Sequence, residues 1–254
     1  MTHPPPPPST QFDPAVAAQM EKIISDLGRM YQERNEALQE VTRAHHEALF
    51  LLAMAAEYKD DDTGIHIVRI GFLAEALALY LGQPQYFALL LRKAAPMHDV
   101  GKIGIPDSVL KKPGGFTPEE RQIMNRHASM GAELLGKSRI PLFQMAAEVA
   151  FTHHERWDGQ GYPRQLAGNA IPLSGRIVSV VDFYDALTMD RVYRPAYSHE
   201  QAMEMMLEQR EKAFDPAIVD CFERHGTALR ALRLRATEHR MSFEDLIAAK
   251  PLVL

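Results

Sequence analysis

Histidines and acidic residues in this chain fall in pairs and at helical spacings that suit metal coordination. In 97-MHDVGKIGIPD-107, His98 and Asp99 are adjacent and Lys102 follows His98 by four. In 153-HHERWDGQGYP-163, His153 and His154 precede Glu155 and a glycine-proline turn. Asp62 and His66 are four apart, so on a helix both side chains leave one face. His127 stands near Ile123, Met124, Met130 and Leu134, on the apolar face of a predicted helix. Asp182 and Asp185 are three apart among Ile177, Val178, Val180, Val181 and Phe183, too apolar a setting for a solvated acidic edge.

Each group alone has a bland alternative, such as a surface hydrogen bond or a satisfied core histidine. Jointly the bland readings are poor. One small domain would have to bury many ionisable groups without partners, at several kcal/mol each. Mixed imidazole and carboxylate groups suit Fe, Mn, Co, Ni or Zn rather than Mg or Ca. More than four such groups point to a bimetallic centre, and the lack of cysteine ligands argues against structural zinc. Lys102 and, after the Asp182 segment, Arg191 and Arg194 offer cations for phosphate recognition, since a guanidinium fork matches paired oxygens. No serine or cysteine nucleophile stands beside a suitable base, and Cys221 reads as core.

The elements that must position these residues read as helices throughout. Met20, Ile23, Leu27, Met30, Arg34, Ala37, Val41, Ala44, Ala48 and Leu51 follow a 3-4 spacing with polar residues between. That pattern predicts a parallel coiled coil that dimerises the protein; the alternative is one amphipathic helix packing on its own domain. Thr117-Pro118-Glu119-Glu120 and Ser198-His199-Glu200-Gln201 read as capping boxes, and Asp215-Pro216 as another helix start. Gly82 and Gly226 are candidate C-terminal caps. Arg176 to Val181 is the stretch β-branched enough to compete as a strand. Its 3.6 period runs on to Leu187 and Ser174 can cap it, so a helix is expected. Residues 1–14, with Pro4 to Pro8, read as a disordered proline-rich linker, followed by a helix over 15–50, a main domain over 51–225 and a helical extension over 226–254.

Composition narrows the function. The 254 residues carry a net charge of -5, without the basic footprint of a DNA- or RNA-polymer binder. An acidic protein still binds phosphates where metal ions supply local positive charge. A single cysteine excludes an internal disulfide. The longest apolar run, Ala48 to Ala56, is far short of the roughly 20 residues of a membrane span. No signal peptide is visible, so a cytoplasmic location is expected.

The motifs MHDVGKIGIPDSVLKKPGGFTPEE, NRHASMGAELL, HHERWDGQGYP and RIVSVVDFYDALTMDRVYR, preceded by KDDDTGIHIVRIG, resemble the HD-GYP domains in order and spacing. These are a bacterial subgroup of the HD phosphohydrolase superfamily, and the resemblance runs from about Leu51 to Phe222. It implies an all-α, HD-type helical bundle with a buried metal cluster, and a phosphodiesterase that opens cyclic di-GMP to pGpG or onward to GMP. The ligands it implies are His66, His98, Asp99, His127, His153, His154 and Asp182, with Asp99 as the bridge, holding two or three transition-metal ions, Fe or Mn. Asp62 stands where an acidic residue, commonly Glu, reaches a third metal; Asp is one methylene shorter. Lys102 resembles the lysine near the scissile phosphate, Arg191 and Arg194 the phosphate-binding arginines, and Gly161-Tyr162-Pro163 the signature loop shaping the pocket. Val192 replaces a common proline. A receiver or sensory module joined to the N-terminal helix is expected. The alternatives are a catalytically weak cyclic di-GMP effector and an HD phosphohydrolase of another nucleotide, such as cyclic GMP-AMP.

Overall fold

A computed structural model describes residues 14–59, 64–190, 195–238, 241, 243–248 and 252. Among these residues the chain is helical, with one isolated bridge between Arg210 and Phe214. In chain order the elements are α1 (Pro14–Lys59), α2 (Ile65–Tyr80), α3 (Gln85–Ala94), two 3-10 turns (Ala95–Met97 and Val100–Gly104), α4 (Asp107–Leu110), α5 (Pro118–Gly136), α6 (Pro141–Thr152), a 3-10 turn (Gly168–Ala170), α7 (Leu173–Leu187), α8 (His199–Glu208), α9 (Pro216–Arg224), α10 (Gly226–Glu238) and α11 (Phe243–Ile247). The expected all-α class holds. The proline tract lies outside the described residues.

The chain forms two compact units, divided between His45 and His46. In the first, the α1 residues Met20, Ile23, Leu27, Met30 and Val41 are exposed. In the second, α1 buries Leu49, Ala53 and Ala56 while Leu51 is exposed. The predicted seam through Ala48 and Leu51 therefore does not continue. The core here takes a neighbouring face, one to two residues along from the seam, because α1 now packs against its own domain.

In the second unit α2 is the centre. Residues 66–78 are all buried, as expected of a helix that is apolar all round. It packs against α3, α7 and α10. Gly82 ends it with φ 73°, as its amide donates to Leu79 O at 2.9 Å and that of Gln83 to Ala78 O at 3.0 Å. Both capping boxes form, and Asp215 Oδ1 accepts from Ala217 N at 2.9 Å. The β-branched run of α7 is helical because Ile177, Val178, Val180 and Val181 are all buried.

Several local expectations are corrected. Ser174 lies inside α7, preceded by Pro172 at the cap, and its hydroxyl donates to Glu148 Oε1 at 2.5 Å. Gly226 opens α10 rather than closing α9, and a Cβ on it would stand 3.2 Å from His199 Nε2. On α5, Leu134 is exposed; His127, Ala128, Gly131 and Leu135 form the buried face. His98 and Asp99 lie between two 3-10 turns, because α3 stops at Ala94 ahead of Pro96. A 3-10 turn has about three residues per turn. Lys102 therefore meets Asp99, three before it, instead of standing over His98.

The second of these turns lies on α5 at backbone contact. A Cβ on Gly101 would fall 1.9 Å from His127 O and 2.6 Å from Gly131 N. Only a glycine permits this approach, which sets Asp99 against His127. Gly101→Ala is expected to destabilise the fold by about 2–3 kcal/mol, read as a lower urea midpoint. Gly28→Ala, in open space on α1, is expected not to lower it.

Candidate metal centre

Imidazole orientation comes first. Three rings are pinned through Nδ1 to carbonyls of their own chain segment. His98 Nδ1 donates to Ala95 O at 3.0 Å, His127 Nδ1 to Met124 O at 2.7 Å, and His153 Nδ1 to Ala150 O at 3.0 Å. A carbonyl only accepts, so the proton resides on Nδ1 and Nε2 presents a lone pair. His66 reaches the same tautomer differently, donating through Nδ1 to Asp185 Oδ2 at 2.7 Å. This is the arrangement expected behind metal-bound histidines.

The freed atoms converge on Asp99. Its Oδ1 lies 3.2 Å from His127 Nε2 and 3.6 Å from His153 Nε2. Its Oδ2 lies 3.3 Å from His98 Nε2 and 2.8 Å from Lys102 Nζ. Asp182 Oδ1 is 3.4 Å from His66 Nε2 and 3.8 Å from His98 Nε2. Two ligand-type groups result: Asp99, His127, His153 and His154, and beside them His66, His98 and Asp182. Asp99 faces both.

These residues fit divalent ions. Donors about 2.1 Å from a common ion stand roughly 3.0–3.4 Å apart, close to the separations found. Nε2 of His98, His127 and His153, with Asp99 Oδ1, are buried and lack hydrogen-bond partners. Buried polar atoms of this kind are costly and few in folded proteins. Four in one place, all lone-pair bearing, mark a cation site.

For the two carboxylates and for His127 and His154 the charge states agree. Burial pushes the Asp99 carboxyl up, but Lys102 and the surrounding histidines outweigh it and hold the group well below the usual range. Asp182 is held low against burial by His66 and His98. Burial and the neighbouring His153 push the His127 imidazole down to about 4, and burial with the same neighbour holds His154 well below its ordinary value. Ionised carboxylates and neutral imidazoles are the ligand forms. For His66 and His98 burial is outweighed by the facing carboxylates, which draw a proton to the lone pairs a metal ion would take.

The 153–163 segment folds back over the cluster. A Cβ on Gly161 would fall 2.3 Å from Arg156 N and 2.6 Å from His154 O, so the return depends on glycine. Tyr162 then stacks on His154 with ring centroids 4.8 Å apart. Glu155 is buried and ties the loop down, accepting from Arg164 N at 2.7 Å and Leu166 N at 2.9 Å.

The structure thus brings together seven of the predicted ligands, with Lys102 and Tyr162 beside them. Asp62, Arg191, Val192 and Arg194 lie outside the described residues. Sequence reasoning assigned no role to Asp185, Arg69 or Glu155. Arg69 follows His66 by three and is buried, forking onto Asp185 at 2.7 Å through Nε and through Nη2. A charged residue one turn from a candidate ligand in so apolar a helix was the available signal.

Residues 19–218 match the HD domain family model. A cyclic di-GMP phosphodiesterase of Vibrio cholerae is 44% identical over 217 residues, covering 78% of this chain and 44% of that protein. A 3'3'-cGAMP-specific phosphodiesterase of the same organism is 37% identical, covering 84% of this chain and 41% of its own. The chain spans about half the length of the curated relatives it matches. The solved structure of a cyclic GMP-AMP-specific phosphodiesterase from V. cholerae superposes with a TM-score of 0.62 at 18% identity, over 81% of this chain and 54% of the other, a likeness of fold.

Adding Mn²⁺ to chelator-treated protein is expected to raise its melting temperature, since an ion a hundredfold above its Kd adds about 2.7 kcal/mol. Asp99→Ala should keep the helical circular dichroism and lose the rise.

Proposed function

The chain belongs to the HD domain family, in its HD-GYP branch, and on that premise we propose that it is a metal-dependent phosphodiesterase opening cyclic di-GMP to pGpG or onward to GMP. The observation that carries the proposal is the convergence of buried, unpartnered nitrogen and oxygen atoms around Asp99. His66, His98 and Asp182 would hold one ion, and His127, His153 and His154 another, with Asp99 shared. Iron or manganese is the proposed metal, in keeping with mixed imidazole and carboxylate donors. Asp62 is the candidate contact for a third ion. When bound, such ions supply Lewis acidity and activate water for attack at phosphorus.

The chain's own residues do the rest. Lys102 is held by Asp99 yet keeps part of its side chain exposed, so its ammonium can meet a phosphoryl oxygen as charge develops there. Burial and the Asp99 charge raise the Tyr162 hydroxyl far above physiological pH. It stays protonated and offers the substrate a donor without adding a negative charge. Arg191 and Arg194 are proposed to grip the phosphates through their forked donors. A second reading, hydrolysis of cyclic GMP-AMP, is supported by the 37% identical relative named for that substrate. A binding-only effector role is less favoured, because it would not need the full ligand set.

The exposed stripe Met20, Ile23, Leu27, Met30 and Val41 supports dimerisation of α1 with a second copy, for coupling to a receiver or sensory partner in the cytoplasm. No described helix is long and apolar enough to cross a membrane.

Anaerobically purified protein should convert cyclic di-GMP to products separable by chromatography, with 3'3'-cyclic GMP-AMP assayed in parallel. Lys102→Met should lower kcat by about 10²-fold at unchanged metal content. Calorimetric binding by fully loaded protein without turnover would instead establish the effector reading. Sedimentation equilibrium should give a dimer, reduced to monomer by Leu27→Asp.

A further inference from the structure

Asp185 is fully buried and accepts four hydrogen bonds. Oδ2 takes one from His66 Nδ1 and one from Arg69 Nη2, each at 2.7 Å. Oδ1 takes one from Arg69 Nε at 2.7 Å and one from Arg233 Nε at 2.8 Å. An ionised carboxylate offers about four lone-pair sites, so this one is saturated. Arg233 also donates through Nη2 to Thr188 O at 2.6 Å, at the residue that follows α7. One guanidinium thus holds both the carboxylate behind His66 and the end of the helix carrying Asp182. It stands on α10, which begins at Gly226, beyond residue 218 where the HD domain match stops.

We infer that Arg233 is a positioning residue of the metal centre, acting through Asp185 on His66, so that α10 completes the half formed by His66, His98 and Asp182. The inference rests on the reading of this cluster as a metal site. His66 presents Nε2 only while Nδ1 stays pinned. Without Arg233, Oδ1 keeps a single donor. Arg69, which already spans both oxygens, is then, among the described residues, the one guanidinium left holding the carboxylate. The other half is insulated from this loss, because His127 and His153 take their orientation from backbone carbonyls.

The test is titration of metal-free protein with Mn²⁺, followed by calorimetry, with Asp182→Ala identifying the ion of the His66 half. Arg233→Met should weaken that ion about 10–100-fold and the other less than about twofold. Arg233→Lys keeps the charge and stem but not the fork, and should fall between; it carries the test if the Met variant does not fold. Arg230→Ala, on the same helix and paired with exposed Glu200, should change neither ion. In an Asp185→Asn background Arg233→Met should weaken the ion far less than it does alone, the remainder coming from the Thr188 contact, a result that general loss of packing would not produce. Equal weakening of both ions, or of neither, overturns the inference and leaves the metal reading standing. Wild-type protein that takes up no Mn²⁺ overturns that reading and the inference with it.

Discussion

A carboxylate buried between imidazole lone pairs is the constraint on which this structure depends. Asp99 cannot be ionised in an apolar interior without compensation, and its immediate neighbours must supply it. Lys102 meets one oxygen. The other faces Nε2 atoms that bring no proton. The surroundings are arranged to bring these groups together. The chain leaves the α-helical path after Ala94, turns tightly through two 3-10 segments, and meets α5 backbone to backbone at Gly101. Each departure from regular helix costs something locally, and the site is where those costs collect.

Around that carboxylate the molecule uses two ways of holding a ring. His98, His127 and His153 are aimed by carbonyls three residues earlier, so the helical backbone sets the angle. His66 sits at the start of the apolar α2 and is aimed by a side chain from α7, which two guanidiniums hold in turn. The first device is local and rides on helix formation. The second requires α2, α7 and α10 to be assembled, so the aim of His66 is set only in the packed domain.

Much of this was legible in the sequence, for reasons that differ by residue. Capping boxes at Thr117 and Ser198 depend on side chains three residues apart, and both formed. The ligand-type residues stood out because ionisable groups in apolar segments need partners. What escaped was what depends on distant packing or on a change of helix type. Three residues per turn, in place of 3.6, moved Lys102 from His98 to Asp99. Ser174 falls inside α7, which starts at Leu173 after Pro172, and its hydroxyl finds Glu148 of α6 instead. The seam on α1 broke before Leu51 because the domain claims Leu49 and Ala53 instead. Asp185 drew attention as half of an acidic pair, but its role required knowing that Arg69 and Arg233 meet there.

The two ways of aiming a ring differ in their tolerance of sequence change. No side-chain substitution removes a carbonyl, so the partners of His98, His127 and His153 survive replacement of Ala95, Met124 or Ala150 by any residue that keeps the turn. The partner of His66 is a side chain, and its own supports are side chains on two other helices. Heritable change can therefore retune the His66 half of the centre in small steps through Asp185, Arg69 or Arg233, while the backbone-held half offers fewer such routes.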